Sequence, residues 1–133
     1  MLFIKFIGKV TNNFPKKTYF CLINLYIIVS GARPNFMKIA PITRAIKAAQ
    51  EAGKKISYRL IYTGRQDDTS LDASLFSDLD MKKPDGYLGV SGHDQSEVTA
   101  AIMLAFEKEL NTHPAQVVLV VDDLTATMSC SIV

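Results

Sequence analysis

Cysteine is scarce in this sequence, and Cys21 and Cys130 lie far apart inside separate apolar stretches. They make neither a disulfide framework nor a metal-ligand pair, which suits a reducing, cytoplasmic setting and leaves a chance disulfide between them as the rival reading. Histidine is equally sparse: His93 and His113 have no partner cluster at ligand spacing, so no metal is assigned. Charge is nearly balanced, with a formal net charge of +2 and no lysine- and arginine-rich run, which argues against nucleic acid and against an anionic membrane surface. No apolar run reaches the roughly 20 residues a membrane span requires. The three-glycine dinucleotide fingerprint is missing, as is the Gly-Lys-Ser/Thr of a phosphate loop. Ser30 and Ser129 stand outside any nucleophile-and-base pattern.

What is present is enough apolar residue, 48%, to build a core in a chain of 133 residues, the size of one domain at most. Lys5, Lys9, Lys16 and Lys17 precede the apolar stretch from Tyr19 to Val29, with Ser30-Gly31-Ala32 after it. That layout resembles a secretory leader. Its second half is β-branched and leads into a helix-starting turn, which favours a buried strand over Leu25–Val29.

From there strand-like and helical segments alternate. Pro34 suits the first position of a helix running to Ala52, with Phe36, Ile39, Ala40, Ile42, Thr43 and Ile46 on its apolar face and Gly53 as its stop. Ile56–Thr63 reads as a second strand, Leu71–Leu79 as a short helix and Tyr87–Val90 as a short third strand after the Pro84-Asp85-Gly86 turn. Asp94 and Glu97 form a capping arrangement for a helix over Ser96–Asn111, with Val98, Ile102, Ala105, Phe106 and Leu110 as its buried stripe. Val117–Val121 is the clearest strand, and a helix begins at Ala126. This alternation predicts an α/β fold with a Rossmann-like parallel sheet and right-handed crossovers.

Ligands of such sheets bind outside the carboxyl ends of the strands. Three loops qualify. In Ser30–Lys38, Gly31 permits close backbone approach, while Arg33 and Lys38 bring two cations to a helix amino end that already favours anions. The alternative is an ordinary turn with solvated cations. After the valine strand, Asp122 and Asp123 project to different sides, so at most one points into a cleft as a general base or sugar-hydroxyl acceptor. The competing reading makes Asp123 or Thr125 the cap of the next helix. Thr63-Gly64-Arg65-Gln66-Asp67-Asp68 is compatible with ligand contacts and equally with solvation.

Val29 to Pro41, with Gly31, Arg33, Pro34, Lys38, Ala40 and Pro41 in ungapped register, resembles the opening motif of the non-hydrolysing UDP-N-acetylglucosamine 2-epimerases, Phe-Gly-Thr-Arg-Pro-Glu-Ala-Ile-Lys-Met-Ala-Pro. Tyr62-Thr63-Gly64 is similar to that family's Thr-Gly-Gln-His turn, and Val118–Thr127 to its Val-Val-Gly-Asp-Thr-Thr-Ser-Thr strand end. The departures are Ala32 for threonine, Asn35 for glutamate, Arg65-Gln66 for Gln-His and Asp122 for the glycine before the aspartate.

The resemblance implies a partial amino-terminal domain of a glycosyltransferase-B type fold over residues 25–133, preceded by an unmatched extension over residues 1–24. It implies a UDP-sugar ligand and an isomerase of cell-surface polysaccharide biosynthesis that needs no cofactor. The reaction inverts C2 of UDP-N-acetylglucosamine through elimination of UDP and re-addition, giving UDP-N-acetylmannosamine. Asp123 and Lys38 then match catalytic positions, and Gly31, Arg33, Lys38, Thr63 and Gly64 match substrate-binding ones. The remaining acid–base glutamates and histidine, and the UDP-holding second domain, correspond to sequence beyond Val133. A full-length homodimer, a pairing with a separate carboxyl-terminal half, and a non-catalytic nucleotide-sugar binding module are the expectations that follow.

Overall fold

The computed structural model describes residues 24–133, so the readings made for residues 1–23, Cys21 among them, lie outside it. Within that range the strands are β1 (Asn24–Ser30), β2 (Ile56–Tyr62), β3 (Gly86–Tyr87) and β4 (Val117–Val120). Between and after them come α1 (Arg33–Glu51), α2 (Ala73–Asp78), α3 (Gln95–Thr112) and α4 (Thr125–Ile132). All strand pairings are parallel, in the order β3-β2-β1-β4, so the expected α/β, Rossmann-like sheet is the one adopted. Sequence order reverses beside β1, which places the switch point of the sheet between β1 and β4.

The continuous apolar run of β1 has a simple cause: the strand is central and covered on both faces. Ile27 and Val29 join Ile61, Val118 and Val120 against Ile102 and Phe106 of α3 and Ala126 and Cys130 of α4. Ile28 faces the other way, with Leu60, Tyr62 and Val121, against Phe36, Ile39 and Ile46 of α1 and Leu75 and Phe76 of α2. Burying each large apolar side chain stabilises the fold by about 1.5–3 kcal/mol. Burial also pushes the Cys130 thiol up to about 12, so it is a packing residue with little thiolate character.

Helix α1 starts at Arg33, one residue earlier than expected, with Pro34 still inside the first turn. It ends in a Schellman motif: Gly53 takes φ 82°, its N–H donates to Gln50 O, and the Lys54 N–H donates to Ala49 O. The third strand is shorter than the expected Tyr87–Val90, because Gly89 at φ 71° breaks the ladder. The segment nevertheless stays docked, with the Leu88, Gly89 and Val90 N–H groups donating to the Tyr62, Gly64 and Thr63 carbonyls at 2.8, 3.0 and 3.0 Å. This fixes the loop after β2. Among the described residues, no helix is long and apolar enough to cross a membrane.

The start of α4 overturns one expectation. Neither Asp123 nor Thr125 caps it; Leu124 occupies the N-cap position without a side-chain bond. Thr125 is engaged elsewhere, accepting from the Gln95 amide of α3. The Thr127 hydroxyl instead ties the helix back to the residue after β4 by donating to the Val121 carbonyl at 2.7 Å. Asp94 caps α3 as expected, accepting from the Ser96 and Glu97 N–H groups.

Candidate functional site

A cleft of about 620 Å³ opens at the carboxyl ends of β1, β2 and β4. Gly31, Thr63 and Gly64 all line it, together with Val98 and Ile102 from α3 and the first residues of α4. Three loops that the sequence marks separately are thereby brought to one place. Arg33, Lys38 and Asp123 are not part of the lining.

Gly31 is required by packing. A Cβ there would sit 2.5 Å from Ala126 Cβ, an atom that cannot move without shifting the α4 backbone. Gly31→Ala is therefore expected to destabilise the fold by about 1–3 kcal/mol, the usual cost of overpacking. Thermal denaturation of Gly31→Ala, Ala126→Gly and the double variant would show recovery in the double variant if this contact is the cause. Thr63 is buried, its N–H donating to the Ser30 carbonyl at 3.0 Å. At Gly64 the chain folds back over the Tyr62 ring, leaving no room for a side chain, since a Cβ would lie 2.6 Å from that ring.

Tyr62 is a cleft residue that the sequence reading did not single out as chemically active. Its hydroxyl donates to Asp68 Oδ2 at 2.6 Å, and burial first, then Asp68, pushes the phenol up to about 12. Asp68 is held below the usual carboxylate range by that same Tyr62 hydrogen bond and by Ser70. The pair presents a neutral phenol and a charged carboxylate at neutral pH. Arg65 reaches back to Asp67 with two bonds, Nε to Oδ1 at 2.8 Å and Nη2 to Oδ2 at 2.6 Å. Part of the cleft lining is thus polar and internally paired, while Val98 and Ile102 add apolar surface.

The β1–α1 turn is organised by Asn35, which is 1% exposed. Ala32 occupies the N-cap position without a side-chain acceptor, and Asn35 makes the reciprocal half of a capping box: Oδ1 accepts from the Gly31 N–H at 2.8 Å and the Ala32 N–H at 3.0 Å. Its Nδ2 donates to Asp122 Oδ2 at 2.7 Å. Lys38 Nζ ion-pairs with the other oxygen of the same carboxylate. Asp122 takes φ 68°, a left-handed conformation that aspartate tolerates and glycine prefers. The Lys38 hydrogen bond, first among the causes, holds its carboxyl below the ordinary range.

These contacts account for two departures noted in the sequence. The resemblance carries glutamate at position 35 and glycine at 122. A glutamate beside Asp122 would oppose two carboxylates, whereas an amide offers one acceptor to the turn and one donor to Asp122. The two replacements are physically coupled.

The expected convergence of Arg33 and Lys38 is corrected. Five residues along a helix separate their directions by about 140°. Lys38 leans toward β4 and Asp122. Arg33 is exposed on the side of Asp72, whose carboxyl is lowered mainly by the Ser74 N–H and least by Arg33. The two cations therefore flank the turn. Of the adjacent aspartates, Asp122 is the inward one, and Asp123 is exposed on the β4–α4 loop. Among the described residues no cluster of three or more metal-ligating side chains occurs.

No family model matches the chain. It is 26% identical over 106 residues to the UDP-N-acetylglucosamine 2-epimerase of Methanocaldococcus jannaschii, covering 80% of this chain and 28% of that protein. It is also 26% identical over 103 residues to the UDP-2,3-diacetamido-2,3-dideoxy-D-glucuronate 2-epimerase of Pseudomonas aeruginosa, covering 77% of this chain and 28% of the relative. The M. jannaschii enzyme solved with UDP-GlcNAc and UDP superposes with a TM-score of 0.68 at 26% identity, over 81% of this chain and 28% of that one. The Neisseria meningitidis UDP-GlcNAc 2-epimerase, at 24% identity and a TM-score of 0.68, shares the fold. The chain spans little more than a quarter of the length of these relatives. Over most of its own length it is similar to UDP-sugar 2-epimerases.

Proposed function

We propose that this domain holds the sugar side of a UDP-N-acetylhexosamine for inversion at C2, as part of a UDP-N-acetylglucosamine 2-epimerase. The observation that carries the proposal is the placement of the Gly31–Lys38 turn. It leaves the central strand at the switch point of a parallel sheet, beside a cleft that Thr63 and Gly64 also line. The similarity to a relative solved with UDP-GlcNAc supports the ligand class.

In this reading Gly31, Thr63 and Gly64 contact the ligand in the cleft, and Arg33 and Lys38 stand on its rim to stabilise the departing diphosphate. Asp123, exposed beside the cleft, moves the C2 proton. UDP leaves to give an unsaturated sugar and returns after C2 is protonated on the opposite face. Thr63–Gly64 and Gly31 hold the sugar, and the apolar Val98 and Ile102 help exclude water. A second domain, supplied by the remaining length of such an enzyme or by a separate half, closes the other side of the cleft. A cytoplasmic homodimer acting in cell-surface polysaccharide synthesis belongs to the same proposal.

Titration calorimetry of the chain with UDP-GlcNAc tests it. Measurable binding that weakens in Arg33→Ala is expected, with no UDP-ManNAc formed by this chain alone. Absence of heat at millimolar ligand would remove the ligand assignment, and turnover by the chain alone would remove the requirement for a second domain.

A further inference from the structure

We infer that Asp122 sets which anions this site admits, by competing with a ligand's anionic group for Lys38. The identity of the ligand rests on the function proposed above; the competition rests on the contacts themselves. Four donors of the β1–α1 turn already have acceptors within the chain, the Arg33 guanidinium standing outside this set. The Gly31 and Ala32 N–H groups, which the turn would otherwise offer to a phosphate, go to the Asn35 side-chain oxygen. Asn35 Nδ2 and Lys38 Nζ go to the two oxygens of Asp122.

The carboxylate is the inner member of the ion pair, its side chain 16% exposed against 48% for Lys38. An incoming diphosphate meets Lys38 from outside and a fixed negative charge behind it. Whether it displaces Asp122 or shares the ammonium with it, the carboxylate is left beside the ligand as a like charge. Because the Lys38 hydrogen bond holds the Asp122 carboxyl below the ordinary carboxylate range, the obstacle is present at neutral pH. A glycine at this position would offer no such competitor. Asp122 therefore makes the site discriminate against anions of high charge density that lack other contacts, and leaves recognition to the cleft.

The test uses the full chain, inorganic pyrophosphate and UDP-GlcNAc as probes, and two variants. Asp122→Asn removes the charge while tolerating φ 68° and retaining an acceptor for Asn35. Asp122→Gly removes the side chain in a conformation glycine adopts readily. Calorimetry is expected to show pyrophosphate binding tightened about fivefold in both variants, the size of an exposed ion pair. Adding Lys38→Ala to Asp122→Asn should erase the gain.

Equal pyrophosphate affinity in wild type and variants, including no binding in any of them, would overturn the inference. So would weaker binding in the variants, which would make Asp122 a positioning contact. Tighter pyrophosphate binding with no UDP-GlcNAc binding in any protein would sustain the competition and remove the nucleotide-sugar reading.

Discussion

Replacing Asn35 with leucine is expected to lower stability by about 2–4 kcal/mol in chemical denaturation, a large effect for one surface-adjacent turn. Leucine is close in volume, so the space Asn35 fills stays occupied. What disappears is the acceptor for the part-buried Gly31 and Ala32 N–H groups just before α1, and the amide donor to Asp122 Oδ2. Leaving a buried donor unpaired costs about 1–3 kcal/mol, and part-buried groups fall toward the low end of that range. Asparagine is the residue that fits because the site needs an acceptor on one side and a donor on the other. Asn35→Glu should therefore also destabilise, by setting a second carboxylate against Asp122, and Asn35→Glu combined with Asp122→Gly should recover most of that loss. Strict additivity of the two single changes would show that the residues are not coupled.

This coupling also marks the boundary of what was legible beforehand. Strand β1, helix α1 and β4 could be read because each announces itself locally: an unbroken β-branched run, a three- and four-residue apolar spacing ended by Gly53, a run of valines. Gly31, Thr63 and Gly64 could be placed at one end of the sheet because parallel topology sends every strand's carboxyl end the same way. The destination of a long side chain is another matter. Lys38 finds Asp122 across two loops distant in sequence, and Tyr62 reaches Asp68 over the turn between them. No local pattern encodes those meetings. The cap of α4 is not legible for the same reason, since Thr125 is claimed by Gln95 from another helix. Gly89 ended β3 early through a backbone angle that its identity permits without demanding.

Phe36→Ala is expected to cost about 3–5 kcal/mol, as is Phe106→Ala on the opposite face of the sheet, since both side chains are fully buried. The two losses should differ in what they do to the cleft. Phe36 lies edge-on to Phe76, ring centroids 5.2 Å apart, and 6.0 Å from Tyr62. Tyr62 in turn meets Tyr87 at 6.3 Å, so one aromatic chain runs from the core under α1 to the cleft wall. A void at Phe36 removes the backing of the Tyr62 ring and lets its hydroxyl leave Asp68. The phenol should then fall from about 12 toward its ordinary value as burial relaxes, and Asp68 should rise as its main hydrogen bond weakens. Phe106 belongs to the other core cluster and touches none of these groups. NMR of ring-labelled tyrosine, with the Tyr62 signal assigned from Tyr62→Phe, separates the cases. That signal should move in Phe36→Ala and stay in place in Phe106→Ala, and Phe36→Leu, which keeps most of the volume, should move it less while remaining folded. Because Tyr62 lines the cleft, the UDP-GlcNAc binding proposed above should weaken with the Phe36 variants in the same order. Identical Tyr62 spectra in the Phe36 and Phe106 variants would mean that the core under α1 does not position the cleft wall, and the polar pair at its edge would have to be held by the β2 loop alone.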